Sequence, residues 1–404
     1  MKHILDILKE RGFVKQTVFE EELREELTQK MVSFYTGFDP TADSLTIGHF
    51  LPIIAMKHLQ QAGHKPYALI GGATAYVGDP SGRSDMRSMM TSDQIKSNVA
   101  RFEAQIRKYL SFEGKNSAVV VNNADWLLKL NYIDLLREIG ADMSVNRMLS
   151  FDCFKSRWDN GLSFLEFNYM PMQAYDFLHL NRKHNINLQI GGDDQWANIL
   201  SGADLIRRKQ NKTAYALTIP LLLKSDGTKM GKSAKGALWL DINKTTPYEI
   251  YQYLRNTEDE KVEEYLKRMT FLSLDKIEEL TKHKDQRINE AKEVLAYEFV
   301  KFVHGEMHAE NAKKQSLAAF TTGNTDNMPS LDLNLNGDES VVDILVQADV
   351  CKSKSQARQL IKAGAVKVNE RKIQTFDEGL TAEEQKQKTF ILHKGKKLHL
   401  KVNF

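Results

Sequence analysis

Cysteine is nearly absent from this chain of 404 residues. The two cysteines, Cys153 and Cys351, lie far apart, and neither belongs to a Cys-x-x-Cys pair. A disulfide framework needs several paired cysteines, and a structural zinc site needs closely spaced ones. The sequence therefore predicts neither, and we expect no metal held by the protein itself.

Long apolar stretches are absent as well. No window of about 18 apolar residues occurs, which excludes a typical membrane-spanning helix. Residues 1–15 carry charges throughout and lack the apolar centre of a secretory signal peptide. We therefore expect a cytoplasmic protein with no membrane partner.

The chain also lacks a strong net charge. Its 56 Lys and Arg nearly balance its 53 Asp and Glu, so the total charge says little about a nucleic-acid partner. Between residues 352 and 372, however, basic residues far outnumber the one acid, Glu370. They are Lys352, Lys354, Arg358, Lys362, Lys367, Arg371 and Lys372. Such a basic face is typical of proteins that bind phosphate backbones, although a solvated surface would look the same.

One stretch early in the chain has the pattern of a strand that enters a helix through a glycine turn. An apolar segment at 31–35 precedes Gly37, which allows a ligand close to the backbone. Asp43 or Ser44 would cap the helix, whose N-terminus favours anions. His49 adds a donor for a phosphate, although a histidine in a first helical turn also serves as a structural hydrogen bonder.

Further apolar segments end in glycine or polar residues, at 67–70, 119–123, from 187 and at 218–223. Helical patterns separate them, so we predict an α/β fold with a doubly wound, Rossmann-like parallel sheet that binds ligands at the carboxyl ends of its strands. Residues 1–30 read as charged helix. No strand is followed by Gly-x-Gly-x-x-Gly, which argues against a dinucleotide-dependent oxidoreductase.

Three polar residues in the middle of the chain share one predicted helix face. Tyr169, Gln173 and Asp176 follow one another at i, i+4 and i+7. The spacing fits an exposed helix face, and it fits equally the polar lining of a pocket.

The character of the chain changes after the predicted sheet. Residues 1–245 form the Rossmann-like domain, and residues 246–320 read as an α-helical domain. Residues 321–339 are polar and turn-rich, which predicts a linker. Residues 340–404 read as a small α+β domain, with a helix through Ile361 and a hairpin after Gly364.

A second polar loop, Lys229-Met-Gly-Lys-Ser233, contains two lysines and would read by itself as a solvated basic turn. Together with Thr46-Ile-Gly-His49 it resembles the signature motifs of class I aminoacyl-tRNA synthetases, His-Ile-Gly-His and Lys-Met-Ser-Lys-Ser. The surrounding residues are similar to those of bacterial tyrosyl-tRNA synthetases over nearly the whole chain. Gly364-Ala-Val-Lys-Val-Asn369 resembles the Gly-x-Val-x-Val-Asn run of the RNA-binding fold named after ribosomal protein S-four.

The resemblance implies a two-step reaction. L-tyrosine and ATP give tyrosyl-adenylate and pyrophosphate, and tyrosine is then transferred to the 3′-terminal adenosine of tRNA(Tyr). ATP would be a substrate accompanied by Mg²⁺. Because negative charge develops as the carboxylate attacks the α-phosphorus, fixed donors matter more than proton transfers. The resemblance also implies a homodimer, with the aromatic band at 143–180 as its expected interface.

The resemblance assigns the site residues in three groups. The catalytic candidates are His49, Thr46, Thr41, Lys229, Lys232 and Arg83. For tyrosine, the candidates are Tyr35 and Asp176 at the phenol hydroxyl, Asp79, Tyr169 and Gln173 at the ammonium group, and Gln195 with Asn123 at the carboxylate. For ATP, they are Gly37, Asp39, Gly48, His49, Gly192, Asp194 and Lys232. The basic residues at 352–372 are the candidates for RNA binding.

Three positions depart from expectation. Thr46 stands where the family usually has histidine, so we expect a weaker phosphate contact there and a larger share for Thr41 and Lys232. Gly231 replaces the usual serine, which would add mobility to the loop and remove a hydroxyl. Pro52 cannot donate a backbone hydrogen bond inside its helix and is expected to bend or loosen that turn.

Two other functions stay open from the sequence. A tryptophanyl-tRNA synthetase shares the fold and the motifs, but Tyr35 with Asp176 suits a phenol better than an indole N–H. A catalytically inactive RNA-binding protein on the same scaffold would keep the basic segment. The retained His49, Lys229 and Lys232 favour an active enzyme.

Overall fold

A computed structural model describes residues 2–81, 90–155, 161–233, 236–283, 285–321, 330–337, 339–395 and 398–404. The chain forms two compact units. One comprises residues 1–246 and 257–305, and the other comprises residues 247–256 and 306–404. The helices of the predicted helical domain at 246–320 therefore fall in both units.

The first unit is built on a six-stranded sheet with the order β1-β6-β5-β2-β3-β4. Its strands are β1 (Gln16–Val18), β2 (Ser33–Phe38), β3 (Lys65–Ile70), β4 (Val119–Asn122), β5 (Leu188–Gly192) and β6 (Tyr215–Ile219). Neighbouring strands run parallel except β1, which is antiparallel to β6. The predicted doubly wound, Rossmann-like sheet is confirmed, with one antiparallel edge strand added.

The prediction that residues 1–30 are entirely helical is wrong. Helices α1 (Ile4–Glu10) and α2 (Glu20–Gln29) flank strand β1. The strand is three residues long and only half buried, so it lacks the apolar run that marks a strand in a sequence. It forms because its backbone pairs with that of β6, a contact between residues about 200 positions apart.

The strand order places a ligand crevice in the middle of the sheet. From β2 the chain moves outward through β3 and β4 on one side, and later through β5 and β6 on the other. The order thus reverses between β2 and β5, and doubly wound sheets bind ligands at such a switch point, beyond the carboxyl ends of the strands.

The remaining helices follow in chain order. They are α3 (Ile47–Gln61), α4 (Ser92–Tyr109), α5 (Ala124–Leu127), α6 (Tyr132–Ile139), α7 (Val145–Leu149), α8 (Asp152–Lys155), α9 (Phe164–Phe167), α10 (Tyr169–His184), α11 (Trp196–Gln210), α12 (Pro247–Arg255), α13 (Val262–Met269), α14 (Leu274–Thr281), α15 (Ile288–His304), α16 (Glu306–Thr321), α17 (Val341–Gln347), α18 (Lys354–Lys362) and α19 (Ala382–Gln387). Among the described residues, none of these helices is long and apolar enough to cross a membrane.

Helix α3 begins later than the sequence predicts. Its cap is Thr46, whose backbone is extended, and the helix continues past Pro52 to its end at Gln61. Asp43, the predicted cap, is instead paired with Lys244 at 2.5 Å. Ser44, the alternative, is buried and donates its hydroxyl to the Leu45 carbonyl at 2.9 Å. The Ser44 hydroxyl also accepts from the Gln105 amide at 3.2 Å. Both side chains are therefore occupied by other contacts, and the cap moves to the next hydroxyl in the chain.

The second unit contains the small α+β fold predicted for the end of the chain. Its sheet has the order β11-β10-β12-β13-β9. The strands are β9 (Ser330–Asp332), β10 (Val366–Val368), β11 (Arg371–Lys372), β12 (Thr389–Lys394) and β13 (Leu398–Asn403). The predicted helix and hairpin are α18 and the β10–β11 pair, and Ser353 caps α18 by accepting from the Gln356 N–H. Strand β9 lies inside the predicted linker, where its pairing with β13 could not be foreseen.

A buried histidine in α3 makes the stability of the first unit depend on pH. The His58 side chain lies against the rings of Phe13 and Phe271, with centroid distances of 5.8 and 4.7 Å. Burial, with a smaller contribution from Arg11, lowers the pKa of His58 from 6.5 to about 3. The unfolded chain therefore binds this proton first, so stability is complete above pH 6.5 and is lost as the pH falls towards 3.

We expect His58→Leu to remove part of this acid sensitivity. Lowering the pH from about 7 to about 5 should cost the native chain about 2 kcal/mol through His58, and the variant should lack that loss. Urea unfolding at both pH values measures the difference. His283→Leu, at an exposed histidine, is the control, and an equal loss of stability in His58→Leu and the native chain would contradict the assignment.

Candidate active site

A cavity of about 490 Å³ opens at the carboxyl ends of the central strands. It is lined by most of the predicted site residues, namely Tyr35, Gly37, Asp39, Thr41, Thr46, Gly48, His49, Asp79, Tyr169, Gln173, Asp176, Gly192, Asp194, Gln195 and Lys229. Elements that are far apart in sequence thus bring one set of polar groups together. Among the described residues, no group of three or more His, Cys, Asp or Glu could hold a metal ion.

Asp176 is a buried carboxylate on α10, with 1% of its surface exposed. It accepts hydrogen bonds from the Trp126 indole N–H at 2.7 Å and from the Asn123 amide at 2.9 Å. Burial raises the pKa of Asp176 to about 7, and the two donors oppose that shift because they stabilise the charged form. The site therefore contains an acceptor whose charge changes near neutral pH.

The hydroxyl of Tyr35 lies in the same region and is buried. It has no hydrogen-bond partner among the described residues. Burial raises the pKa of Tyr35 well above 10, with a smaller contribution from Asp176, so the phenol stays protonated. A buried hydroxyl costs free energy unless it is paired, so a cavity lined by Tyr35 and Asp176 favours a ligand that carries a hydroxyl.

A chain of hydrogen bonds joins this end of the cavity to Asp39. Asn123 donates to the Thr74 hydroxyl at 3.1 Å, and Thr74 donates to Asp39 at 2.8 Å. Tyr169 donates its hydroxyl to the other oxygen of Asp39, also at 2.8 Å. Asn123 follows directly on β4 and is fully buried, and its amide contacts both Thr74 and Asp176. Its predicted role at the substrate carboxylate stays a prediction.

Asp79 and Gln195 form a second polar group in the cavity. Gln195 donates its amide to Asp79 at 2.6 Å, and the Ser81 N–H donates to the other Asp79 oxygen at 2.9 Å. Nearby, burial and the charge of Asp79 raise the pKa of Asp194, whereas Lys229 opposes that increase. This part of the cavity is strongly acidic and suits a cationic ammonium group or the hydroxyls of a ribose.

The start of α3 holds His49 in one orientation. The Thr46 N–H donates to His49 Nδ1 at 3.0 Å, and the Thr46 hydroxyl lies 3.0 Å from the same nitrogen. Because Nδ1 accepts, the neutral ring carries its proton on Nε2, which is the atom able to donate to an anion. The rings of Phe38 and Phe102 lie beside the imidazole, with centroids at 6.5 and 5.7 Å. The threonine thus orients the histidine through its backbone.

Gly48 follows Thr46 in α3 and is exposed at the cavity. A side chain there would meet only the Thr46 hydroxyl, at an ordinary 3.6 Å. No described protein atom therefore requires a glycine, whereas a flat ligand lying against the helix would.

The second motif is connected to the first by backbone hydrogen bonds. The Ile47 N–H donates to the Leu238 carbonyl at 3.0 Å, and the Leu238 N–H donates to the Gly231 carbonyl at 2.9 Å. Strands β7 (Lys232–Ser233) and β8 (Gly236–Ala237) form a short hairpin here. Lys229 is exposed and lines the cavity. The Ile47 N–H at the start of α3 is thus bonded to protein and not available to a ligand. The loop that contains Lys229 and Gly231 lies directly beside this end of the helix.

Two predicted catalytic groups lie outside the described parts of the structure. They are the whole of Arg83 and the side chain of Lys232, so their roles stay predictions.

The predicted RNA-binding residues fall into two kinds. Lys352, Lys354, Arg358, Lys362, Lys367 and Lys372 are exposed in the second unit. Arg371 is half-buried, and its guanidinium donates to Glu378, to the Gly379 carbonyl and to Glu384 at 2.9, 3.0 and 3.1 Å. Its fork is therefore occupied within the fold. Lys354 is exposed but forms an ion pair with Asp343 at 2.6 Å, whereas the other four lysines and Arg358 face solvent.

Three polar groups of this site are not predicted from the sequence. They are the indole of Trp126, the Thr36 hydroxyl and the side-chain carbonyl oxygen of Gln189; the last two atoms have no neighbouring motif that would identify them. These two atoms are buried at the cavity without partners among the described residues. Thr36 lies on β2 and Gln189 lies on β5. The alternation of side chains along a strand tells which face of the sheet each residue is on, but not which ligand it faces.

Trp126→Phe should shift the pH at which kcat/KM rises to a higher value. The carboxylate form of Asp176 can accept from a phenol, so kcat/KM for a hydroxylated substrate should rise as pH increases through about 7. Loss of the indole donor removes support for the charged form, which should move that rise higher by about one pH unit. The pH profile of kcat/KM with tyrosine measures it. Phenylalanine is the control substrate because it has no hydroxyl, and an unmoved tyrosine profile would argue against this role.

Comparison with known proteins gives consistent results over the whole chain. The sequence pattern described as tRNA synthetases class I (W and Y) matches residues 27–321, and that of the Tyrosine--tRNA ligase SYY-like C-terminal domain matches residues 320–402. A tyrosine–tRNA ligase from Clostridium botulinum (strain Loch Maree / Type A3) is 52% identical, covering 98% of each chain. One from Acetivibrio thermocellus is 50% identical, covering 100% of this chain and 99% of the relative. Among solved structures, a C-terminally truncated mitochondrial tyrosyl-tRNA synthetase from Aspergillus nidulans has a TM-score of 0.71 at 31% identity, over 79% of this chain and 95% of that one.

Proposed function

The chain belongs to the family of class I tRNA synthetases for tryptophan and tyrosine, and on that premise we propose how its residues work as those of a tyrosine–tRNA ligase. This activity joins L-tyrosine to ATP as tyrosyl-adenylate, releases pyrophosphate, and transfers tyrosine to tRNA(Tyr). ATP is a substrate, and we propose that Mg²⁺ enters with it.

The observation that carries the choice of amino acid is the pair of Tyr35 and Asp176. A tyrosine phenol placed between them would accept from the Tyr35 hydroxyl, which lacks a partner among the described residues, and donate to Asp176. Phenylalanine would leave both groups unpaired, and an indole would offer a donor but no acceptor. The substrate ammonium group would lie among Asp79, Tyr169 and Gln173. The pair therefore favours tyrosine over tryptophan.

The nucleotide would occupy the α3 end of the cavity. Adenine would lie against Gly48, and the ribose would contact Asp194. As the carboxylate attacks the α-phosphorus, negative charge would grow on oxygens near His49 Nε2–H, the Thr41 hydroxyl and the Lys229 ammonium. No proton transfer is required of these residues, since their role is to stabilise charge. Lys232 and Arg83 are proposed to assist on the pyrophosphate side.

The second unit is proposed to bind the tRNA. Six of the seven basic candidates are exposed, which suits phosphate contacts, and one of these six, Lys354, shares its charge with Asp343. Arg371 is proposed to support this face by its internal hydrogen bonds and not by contacting RNA.

We further propose a cytoplasmic homodimer. Apolar side chains are exposed in and next to the aromatic band at 143–180, among them Ile133, Val145 and Phe164, which is 71% exposed. Their burial against a second copy would remove an apolar surface from water. Sedimentation of the full chain measures the oligomeric state.

ATP–pyrophosphate exchange tests the proposed function. We expect exchange with tyrosine, and little with phenylalanine or tryptophan. Lys229→Met should slow the exchange, whereas Lys224→Met, five residues earlier in the chain and outside the cavity lining, should not. Absence of exchange with any amino acid would favour an inactive RNA-binding protein, and exchange with tryptophan would mean that the pocket recognises an indole.

A further inference from the structure

The N-terminal strand β1 contacts the residue that opens an active-site turn. The turn Asp193–Gln195 follows β5 directly. The Asp193 carboxylate accepts from the Gln16 amide at 2.7 Å and from the Thr218 hydroxyl at 2.9 Å, both on the same oxygen. Gln16 and Thr218 are register partners in the antiparallel pair of β1 and β6. Two adjacent strands therefore direct one donor each at the same carboxylate.

The turn that is held in this way has little other support at its beginning. It is a single turn of three residues, and its cap, Gly192, has no side chain with which to bond it. Its next two residues, Asp194 and Gln195, line the cavity, and Gln195 donates to Asp79 at 2.6 Å. A movement of Asp193 would therefore move the groups proposed to contact the ribose and to hold Asp79.

We propose that Gln16 and Asp193 are positioning residues for tyrosine activation, acting through Asp194 and Gln195. The proposal rests on the proposed function, and it assigns a role to an N-terminal segment in which no sequence motif predicts a function. Gln16 lies on the edge strand of the sheet, so its side chain can be altered without opening the core. Charged hydrogen bonds of this kind restrain a neighbouring group strongly, because the carboxylate accepts two donors at a fixed position.

A reversed hydrogen bond gives the sharpest test. Gln16→Glu places a second carboxylate against Asp193, and we expect kcat/KM for ATP in pyrophosphate exchange to fall about ten-fold or more. Adding Asp193→Asn lets an amide nitrogen take the position of the shared oxygen, where one N–H donates to Glu at position 16 and the other donates to the Thr218 hydroxyl, which can accept as well as donate. The double variant should therefore recover most of the loss. Thr17→Val is the matched control, because the Thr17 hydroxyl bonds to Glu20, outside the active site.

Three measurements separate the outcomes. Exchange by the native chain reports on the proposed function, and its absence would end that proposal whatever the variants do. Calorimetry of ATP and tyrosine binding then tests the contact between Gln16 and Asp193 directly. We expect weaker binding in Gln16→Glu and recovered binding in the double variant. The midpoint temperature of thermal unfolding should stay within a few degrees of that of the native chain in every variant. Unchanged activity and binding in Gln16→Glu would overturn the inference, and so would a double variant no better than the single one.

Discussion

Replacing Asp176 by asparagine should lower kcat/KM for tyrosine by about 10³-fold or more, the largest effect expected from a single change in this cavity. The carboxylate accepts from Trp126 and Asn123 and would accept a third hydrogen bond from the phenol. An amide of the same shape must turn a donor towards at least one of these donors. The variant should also lose discrimination against phenylalanine, which for enzymes of this type is known to reach about 10⁵.

Exchange kinetics with tyrosine and phenylalanine, in the native chain and in Asp176→Asn, measure both effects. Asp125→Asn is the matched control, since Asp125 is an exposed carboxylate nearby on α5 and does not line the cavity. The midpoint temperature of thermal unfolding of Asp176→Asn should fall by only a few degrees, because the amide loses a buried hydrogen bond while the removal of a carboxylate disfavoured by burial offsets part of that cost. If the ratio between the two amino acids stayed the same, Asp176 would not be the group that recognises the phenol.

Gly231→Ser should lower kcat of adenylate formation by about 10²-fold, although serine is the residue usual in the family motif. Gly231 has a φ of +97°, a backbone conformation that residues other than glycine rarely adopt. A Cβ added there would lie 2.2 Å from the Ile47 Cγ2. The loop must therefore move away from α3, and Lys229, two residues earlier, must move with it. The sequence suggested that glycine adds mobility here. The structure instead gives it a steric reason.

Two further variants separate the clash from the backbone strain. Gly227, four residues before Gly231, has a φ of +78°, but no atom lies within 4 Å of a Cβ added there, so Gly227→Ser introduces only the backbone strain. Its kcat should stay near the native value. Ile47→Ala removes the clashing methyl group, and combined with Gly231→Ser it should restore part of the rate. Equal losses in Gly227→Ser and Gly231→Ser would show that the contact with Ile47 does not matter.

Patterns among neighbouring residues explain why several of the predicted site residues line the cavity. The three polar residues on α10 share a helix face because the helical period is a property of a few consecutive residues, and all three line the cavity. His49 and Lys229 were identified through short motifs, and the fold brings them to the same cavity. The sequence could not decide whether the three residues on α10 form an exposed helix face or line a pocket. The structure favours the pocket.

Other features depend on contacts between distant segments. Asn123 donates to Asp176, 53 residues away, a contact that the sequence does not predict. Thr46 was expected as a phosphate ligand, and its backbone N–H orients His49. Arg371 was counted with the RNA-binding residues, and its guanidinium is bound by Glu378 and Glu384 within the second unit.

The sequence by itself determined the α/β class, the central parallel strands with the helices between them, and the two signature motifs through which the chain resembles its family, because each of these depends on residues that are near one another in the chain. Only the tertiary structure decided that Trp126 supports Asp176, that Gln16 reaches Asp193, and that Gly231 packs against Ile47. The physical reason is that a hydrogen bond or a steric contact depends on positions in space. Residues separated by tens to hundreds of positions acquire those positions only when the sheet assembles around its core.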